Sequence, residues 1–296
     1  MSRVSKRDHI LVGLDIGTTK ICAIVAEVPE EGPLNIIGVG SCPSRGLRKG
    51  VVVNIESTVE SIKKAVEEAE LMAAVQINSV YTGIAGSHIS GENLKGVVAL
   101  KKQEVTREDI SRAVESARTL AVIPHERRIL HVIPREFMVD DQEGVRDPLG
   151  MSGNRLEVNV HVITGAVTSA QNIIKSVNRA GLDVVDIILQ PLASSEAVLS
   201  AEERELGVAM VDLGGGTTDL AIFLDGSIRH TAVLPIGGQN LTKDLAIGLL
   251  TSQTDAEKIK VQHGIARTEL VHGHQMVEVP SVGDRPPRQF TRRDIA

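Results

Sequence analysis

Residues 11–27 read as an apolar strand, an aspartate, a tight turn and a second apolar strand, and residues 208–224 (VAMVDLGGGTTDLAIFL) replay that pattern. Asp212 stands in the repeat where Asp15 stands in the first copy, and each copy carries a threonine pair in its turn. No other feature constrains the chain as much, because it must place two like hairpins in one fold. Ile10, Val12, Leu14 and Ile16 alternate into Gly17-Thr18-Thr19, and a β-branched apolar run resumes from Ile21 to Val28. Successive backbone N–H groups bared by glycine form an anion nest, and the threonine hydroxyls add donors. A carboxylate beside a phosphate is repelled unless a divalent cation lies between them, so Asp15 and Asp212 read as Mg2+ partners. Contact through water is expected, since Mg2+ dehydrates reluctantly. Lys20, directly after the first turn, is placed to reach a phosphate oxygen. Facing each other, the hairpins would clamp a triphosphate from both sides. The bland alternative is two ordinary hairpin turns, which matches either copy alone better than it matches the pair.

The chain contains neither GxxxxGK[ST] nor GxGxxG, so this clamp is the nucleotide hypothesis. Composition points the same way by exclusion. Three Phe, one Tyr and no Trp leave few rings for stacking bases or sugars. A net charge of −6 offers no general attraction for nucleic acid, and none is expected as a partner. A core so poor in rings must be filled by Val, Ile, Leu and Ala, which suits strand-rich α/β layers. Two cysteines, Cys22 and Cys42, build no disulfide framework and lack metal-ligand spacing. The apolar run after the basic start MSRVSKRDH breaks at Gly13, too early for a signal peptide, and no run approaches transmembrane length. The chain as given is therefore expected to be soluble and cytoplasmic.

Between the repeats, a strand is expected at 34–40 and a helix with a Ser57/Glu60 capping box, then a strand at 77–84. Residues 85–165 read as a separate small α/β unit. It has a helix capped by Thr106, strands at 129–133 and 136–139, a loop over 140–154, and a clean alternation at Leu156, Val158, Val160 and Val162. A capped helix over 168–180 ends at Gly181, a buried strand over 182–189 runs into Gln190-Pro191, and a small-residue helix covers 193–200. Residues 202–205 read as a charged connector. Asp225-Gly226 signals a hairpin, a strand spans 227–235, a segment over 237–250 follows and a helix falls around 255–263; from Pro280 the chain is rich in Pro and Arg.

Asp15-Ile-Gly-Thr-Thr-Lys20 and Asp212-Leu-Gly-Gly-Gly-Thr-Thr-Asp219 resemble the two phosphate motifs of the actin superfamily, which includes sugar kinases and the 70-kDa heat-shock chaperones. Residues 187–199, IILQPLASSEAVL, are similar to its first connecting helix. The resemblance sharpens to the FtsA family of bacterial cell-division actin homologues in GLDIGTTKICAIVAEV, HVIPREFMVDDQEGVRDPLGMSG, ERELGVAMVDLGGGTTDLAIF, DAEKIKVQHG and VEVPSVGDRPPR. It covers essentially the whole chain. It implies an actin-like two-lobed ATPase fold with ribonuclease-H-like halves and an inserted small α/β subdomain. The first lobe would comprise 1–84 and 166–205, with the insert at 85–165 on the other side of the lobe from the actin subdomain it replaces. An incomplete second-lobe core would cover 206–236 and its outer subdomain 237–296.

By the same resemblance, ATP would lie with Gly17, Thr18, Thr19, Lys20, Gly214, Gly215, Gly216 and Thr217 on its phosphates and Asp15 and Asp212 near Mg2+. Glu257 and Lys260 would contact the nucleoside; read from the residues alone they are an i,i+3 surface pair. Gln190 occupies the place where the chaperones carry Glu before Pro. A neutral amide can orient water but not polarise it as a carboxylate would, which implies slow hydrolysis at most. The bland alternative is that Gln190 only hydrogen-bonds a strand end. The implied role is a division protein at the septum, on the cytoplasmic face of the inner membrane. It would bind the FtsZ ring, self-associate in actin-like protofilaments and meet later division proteins through 85–165. Arg285, Arg288, Arg292 and Arg293 would contribute to FtsZ docking, or form a solvated loop. The competing reading is a small-molecule kinase of the same superfold, with Asp140, Asp141 and Asp147 as the available acids; no chaperone-type peptide-binding domain is recognisable. His272 and His274 read as loop histidines. A third nucleotide motif and a C-terminal membrane helix are not found, and Thr291-Arg-Arg-Asp reads as a helix start, so the sequence is expected to be incomplete.

Overall fold

In the computed structural model, which describes residues 10–273, 275–283 and 285–296, both repeats fold as hairpins. The chain divides into two compact units, one up to Pro235 and one spanning Ile236–Ala296. In the first unit, β1 (Ile10–Ile16) pairs antiparallel with β2 (Lys20–Glu27), which pairs with β3 (Asn35–Pro43). On the other side of β1 come β6 (Ser79–Ile84) and β11 (Asp183–Leu189), both parallel to it, giving the order β11-β6-β1-β2-β3. Val12, Leu14 and Ile16 point into the core, as the alternation requires, and meet Ile21, Ala23 and Val25 from β2. A short hairpin of β4 (Leu47–Arg48) and β5 (Val51–Val52) follows, turning through Lys49 and Gly50 at positive φ.

The helix α1 (Ile55–Ala73) buries Val59, Ile62, Val66 and Ala69 against this sheet. Its cap is Asn54, whose side chain accepts the Ser57 N–H at 3.0 Å, so the helix begins before the expected Ser57/Glu60 box. Gly38 and Gly40 let α1 lie directly on β3: a Cβ on Gly40 would fall 1.9 Å from the Ala65 carbonyl oxygen. Behind the sheet also lies α3 (Val167–Arg179), which starts after Ala166 without the side-chain cap expected at Thr168 and stops before Gly181, at φ 98°.

Residues 90–166 supply a second sheet, from β7 (Ser90–Ala99), β8 (Arg127–Val139), β9 (Gln142–Val145) and β10 (Arg155–Ala166) in the order β7-β10-β8-β9. Leu156, Val158, Val160 and Val162 form its buried face with Val105, Ala113 and Ala117 of or beside α2 (Arg107–Leu120). Thr106 and Asp109 close the expected cap reciprocally, and the Thr106 and Arg112 hydrogen bonds hold the Asp109 carboxyl down at about 2.

Three expectations need correction here. The strands at 129–133 and 136–139 are one strand, because a register shift against β10 beside Pro134 absorbs the missing N–H. Part of the expected 140–154 loop is β9, turned back on β8 through Asp140 at φ 51°. β7, which was not expected, has a polar and glycine-rich sequence. Its pairing along the whole of β10 makes it a strand, and Gly96 admits the α2 backbone against it.

The third sheet of this unit is β12 (Val208–Leu213), β13 (Thr218–Leu224) and β14 (Ser227–Leu234), with Asp225 and Gly226 turning at φ 53° and 72° as the sequence anticipates. The helix α4 (Gln190–Val198) starts earlier than expected, because Pro191 suits a first turn, and packs against both β12 and β11. Residues 202–205 are no connector but part of α5 (Ala201–Leu206), capped by Ser200 and Glu203. The second sheet meets β14 through buried His161, whose ring lies 2.7 Å from Asn93 Oδ1 and 3.0 Å from Thr231 Oγ1. Burial, with Arg135 and His230 nearby, pushes that imidazole down to about 4, so it is neutral at pH 7.

The second unit contains α6 (Gly238–Gly248), α7 (Gln253–His263), β15 (Met276–Val279), β16 (Arg288–Thr291) and α8 (Arg292–Ile295), around Leu249, Ile259, Val277, Val279 and Ile295. The two strands pair antiparallel and were not expected. The Thr291/Asp294 cap is formed as read from the sequence.

The contact of α1 with β3 depends on the absence of a side chain. Gly40→Ala is expected to destabilise the first unit by about 3 kcal/mol, the upper part of the overpacking range, because the obstructing atoms are helix backbone. Urea denaturation followed by circular dichroism checks this; a change under 1 kcal/mol would show that α1 can move away freely.

Candidate functional site

Both repeat turns close with the same bond. The Gly17 N–H donates to the Lys20 carbonyl at 3.0 Å, and the Gly214 N–H donates to the Thr217 carbonyl at 2.9 Å. A Cβ on either glycine would crowd that acceptor, at 2.8 and 3.0 Å. The turns also meet tip to tip. A Cβ on Gly215 would fall 2.2 Å from Thr19 Cγ2, and one on Gly216 would fall 2.8 Å from Thr18 Oγ1 and 2.9 Å from Lys49 Cα. Thr18 Oγ1 in turn accepts the Gly50 N–H at 3.0 Å, so the β4–β5 hairpin props the first turn.

Beside this contact opens a cleft of about 570 Å³, lined by Asp15, Gly17, Thr18, Thr19, Lys20, Gln190, Asp212, Gly214, Gly215 and Thr217 among others. Nine residues the sequence singled out are thus brought together with Gln190. Gly216 stands at the contact between the turns.

Three carboxylates face this cleft. Asp15, at the end of β1, accepts a 2.6 Å hydrogen bond from Gln190 Nε2, and Asp212, on β12, accepts one of 2.9 Å from Ser194 Oγ. Asp219, on β13, accepts the Thr217 hydroxyl on Oδ2 at 2.9 Å, while its buried Oδ1 has no protein partner. The Asp15 carboxyl opens to the cleft but is surrounded by protein on most sides. This loss of solvation raises its pKa, Lys20 opposes the rise, Asp212 adds to it, and the Gln190 bond opposes it. Burial pushes Asp219 up to about 6, against its bond from Thr217 and with Asp212 adding to the rise. Asp219 and Ser194 were given no role in the sequence reading. Asp219 lies two residues beyond Thr217, on the same strand face, and Ser194 lies one helical turn beyond Gln190. Those two spacings were the available signals.

In the second unit, Lys260 Nζ meets Glu257 Oε2 at 2.7 Å and Thr242 Oγ1 at 2.9 Å, the i,i+3 pair the residues alone suggest, buttressed by a hydroxyl. Arg288 donates to the Leu249 carbonyl and lies over the Phe290 ring, and Arg292 donates to the His263 carbonyl at 3.0 Å. Half of the expected basic patch is therefore engaged within its own unit, while Arg285 and Arg293 are exposed. Asp140 accepts the Asn154 and Arg155 N–H groups, Asp147 accepts that of Leu149, and Asp141 is fully exposed; none of the three lines the cleft. His274 and the basic N-terminal residues fall outside the described residues.

Residues 86–164 match the family model of the SHS2 domain inserted in FtsA, and residues 209–296 match that of cell division protein FtsA. The cell division protein FtsA of Pseudomonas aeruginosa is 53% identical over 287 residues, covering 97% of this chain and 69% of that protein. The chain belongs to the FtsA family. FtsA of Escherichia coli strain K12 is 49% identical over 287 residues, 97% of this chain and 68% of that one, and FtsA of Bacillus subtilis is 42% identical over 291, 98% and 66%.

Among solved structures, a PilM-PilN type IV pilus biogenesis complex aligns with TM-score 0.64 and 20% identity over 86% of this chain and 70% of that one. MreB 5 of Spiroplasma citri bound to AMPPNP aligns with TM-score 0.53 and 14% identity over 97% and 73%. With the mixed α/β architecture and the inserted domain, they bear out the actin-like two-lobed fold expected of an FtsA-type chain.

A buried acid whose folded pKa is raised favours its protonated form in the fold, so Asp219 weakens stability as pH climbs from about 4 to about 6. Asp219→Asn removes that penalty. The variant is expected to exceed the parent by about 3 kcal/mol at pH 7, with the gap closing by pH 4. Denaturant unfolding at a series of pH values measures it, and a gap that does not change with pH would contradict the assignment.

Proposed function

We propose that this FtsA-family chain binds ATP with Mg2+ in the cleft between its two Asp-Gly hairpins and acts as a division protein joining FtsZ to the inner membrane at the septum. The observation that carries the nucleotide reading is the tip-to-tip meeting of two turns closed by the same bond, with no room for a Cβ at Gly215 or Gly216. Such a cradle suits phosphate oxygens, which need bare N–H groups at short range. Among the described residues no three acids gather closely enough to hold a bare ion, so the donor set suits a cation held through water: carboxylates from both copies face one cleft, and one buried Asp219 oxygen is left without a protein partner. Bound Mg2+ would neutralise phosphate charge. Asp15 and Asp212 would hold it through water, and Lys20 and the hydroxyls of Thr18 and Thr19 would bind phosphate oxygens. Gly215, Gly216 and Thr217 would offer backbone N–H groups, while Gly17 and Gly214, whose own N–H groups close the turns, would let the phosphates come close. Glu257 and Lys260 remain our proposal for the nucleoside.

Gln190 cannot accept a proton from water, and its amide already donates to Asp15. ATP then serves chiefly as a conformational and polymerisation ligand, hydrolysed slowly at most. Asp140, Asp141 and Asp147, the acids available to the kinase reading, do not line the cleft. We keep the division of the chain into a first lobe of 1–84 with 166–205, an insert of 85–165 for later division proteins, a second-lobe core of 206–236 and an outer subdomain of 237–296. The actin-like fold supports self-association. Among the described residues no helix is long and apolar enough to cross a membrane.

Calorimetric titration with ATP is expected to show binding in Mg2+ that weakens in EDTA and falls at least about tenfold in Gly216→Ala, where the new methyl would press on Thr18 and Lys49. Equal heats for parent and variant would reject the clamp. Charge reversal at exposed Arg285 and Arg293 is expected to lower cosedimentation with FtsZ filaments severalfold, more at low salt than at high. Unchanged cosedimentation would remove those arginines from the docking surface.

A further inference from the structure

The connecting helix α4 touches the cleft with two side chains, Gln190 at its first position and Ser194 four residues on. That spacing stacks them on one helix face. Each donates to a carboxylate, Gln190 to Asp15 at 2.6 Å and Ser194 to Asp212 at 2.9 Å. Asp15 and Asp212 are the equivalent residues of the two repeats, so one helix grips both copies of the motif at the same place. Each donor takes one carboxylate oxygen, Oδ1 of Asp15 and Oδ2 of Asp212, and leaves the other for the cleft.

The helix that carries them is firmly held. Pro191 and Ser195 are buried, and Leu192 packs against the apolar clusters of both the first and the third sheet. Arg204 donates to the Ser195 carbonyl at 2.9 Å and pairs with Glu196 while lying over the Phe223 ring. Beneath Gln190, Gly83 leaves space that a Cβ would fill, 2.8 Å from Gln190 Cγ.

The chemistry of the two donors is also specific. An amide and a hydroxyl orient a carboxylate without cancelling its charge, whereas a lysine or arginine there would neutralise the site and compete with a cation. A carboxylate at position 190 would repel Asp15 and favour its protonation. Neutral donors are what a cation site needs.

We infer that Gln190 and Ser194 are paired positioning residues: α4 acts as a ruler that sets the separation and orientation of Asp15 and Asp212 for the cation they share. The inference rests on the proposed Mg2+-nucleotide reading of the cleft. It gives Ser194 a role and makes Gln190 an orienter of Asp15.

The test compares the 296-residue chain with Ser194→Ala and Ser194→Thr, titrating ADP by calorimetry in excess Mg2+ and in EDTA, with Mn2+ binding to each ADP complex followed by electron paramagnetic resonance. For Ser194→Ala the affinity in Mg2+ is expected to drop about tenfold, as for loss of a hydrogen bond to a charged group. The affinity in EDTA should stay within about twofold, a difference under half a decade. Mn2+ binding should weaken in parallel, and Ser194→Thr should restore both. If the parent shows cation-dependent binding and Ser194→Ala matches it, the ruler is wrong and the nucleotide reading stands. Equal losses in Mg2+ and EDTA would mean a general helix defect and would also overturn it. If the parent itself binds no better with Mg2+ than without, both readings fall.

Discussion

Two polypeptide turns approach each other here more closely than any side chain would permit. Gly215 lies against Thr19, and Gly216 lies against Thr18 and the Lys49 backbone. That approach brings the ends of β1 and β12 to one cleft, because each turn directly continues its strand. A methyl on Gly216 would press on the Lys49 backbone, which cannot turn aside, whereas one on Gly215 would force the Thr19 side chain to move. The turn formed by Lys49 and Gly50, bonded to Thr18 through the Gly50 N–H, holds the first hairpin against the second. The two sheets thus meet at the cleft through glycine backbone and the Thr18 and Thr19 side chains, where small displacements have large geometric effects.

Charge in the cleft is arranged around that contact. Asp15, Asp212 and Asp219 would repel one another without compensation, and the raised pKa values of Asp15 and Asp219 record the strain of gathering acids out of water. Neutral donors from α4 and from Thr217 relieve part of it while preserving negative charge. A cation and a phosphate chain would complete the compensation, and for this reason the cleft reads as a binding site and not as a structural ion-pair network. Membership of the FtsA family and an actin-like fold are consistent with this arrangement.

Much of the fold was legible in the residues. The hairpins of β1–β2 and β12–β13, the β10 alternation, the Thr106 cap and the Asp225-Gly226 turn each depend on neighbours within a few positions, so local pattern was enough. β7 was hidden because its polar, glycine-rich sequence becomes a strand only by pairing with β10. Pro134 suggested a break that the register shift against β10 repaired. Residues 202–205 looked like a solvated link, yet Ser200 and Glu203 cap a helical turn there. In the site, the glycines and Asp15 were legible by composition and repetition, while Ser194 is an ordinary serine in a small-residue helix until Asp212 comes within 2.9 Å. Arg288 and Arg292 looked like free surface charge, and distant carbonyl groups claim them instead.

The residues alone determined that two Asp-Gly-Thr hairpins exist, that a small α/β unit lies between them, and that few rings are present for stacking, which left phosphate and a cation as the chemistry to expect. These follow from local backbone preference and from side-chain type, which need no partner. Tertiary structure alone decided that the hairpins meet tip to tip, that one helix grips both aspartates, and that Asp219 keeps an unpartnered oxygen at a raised pKa. Each of these depends on a distance between atoms far apart in the chain, and such distances are set only when the sheets and α4 pack together.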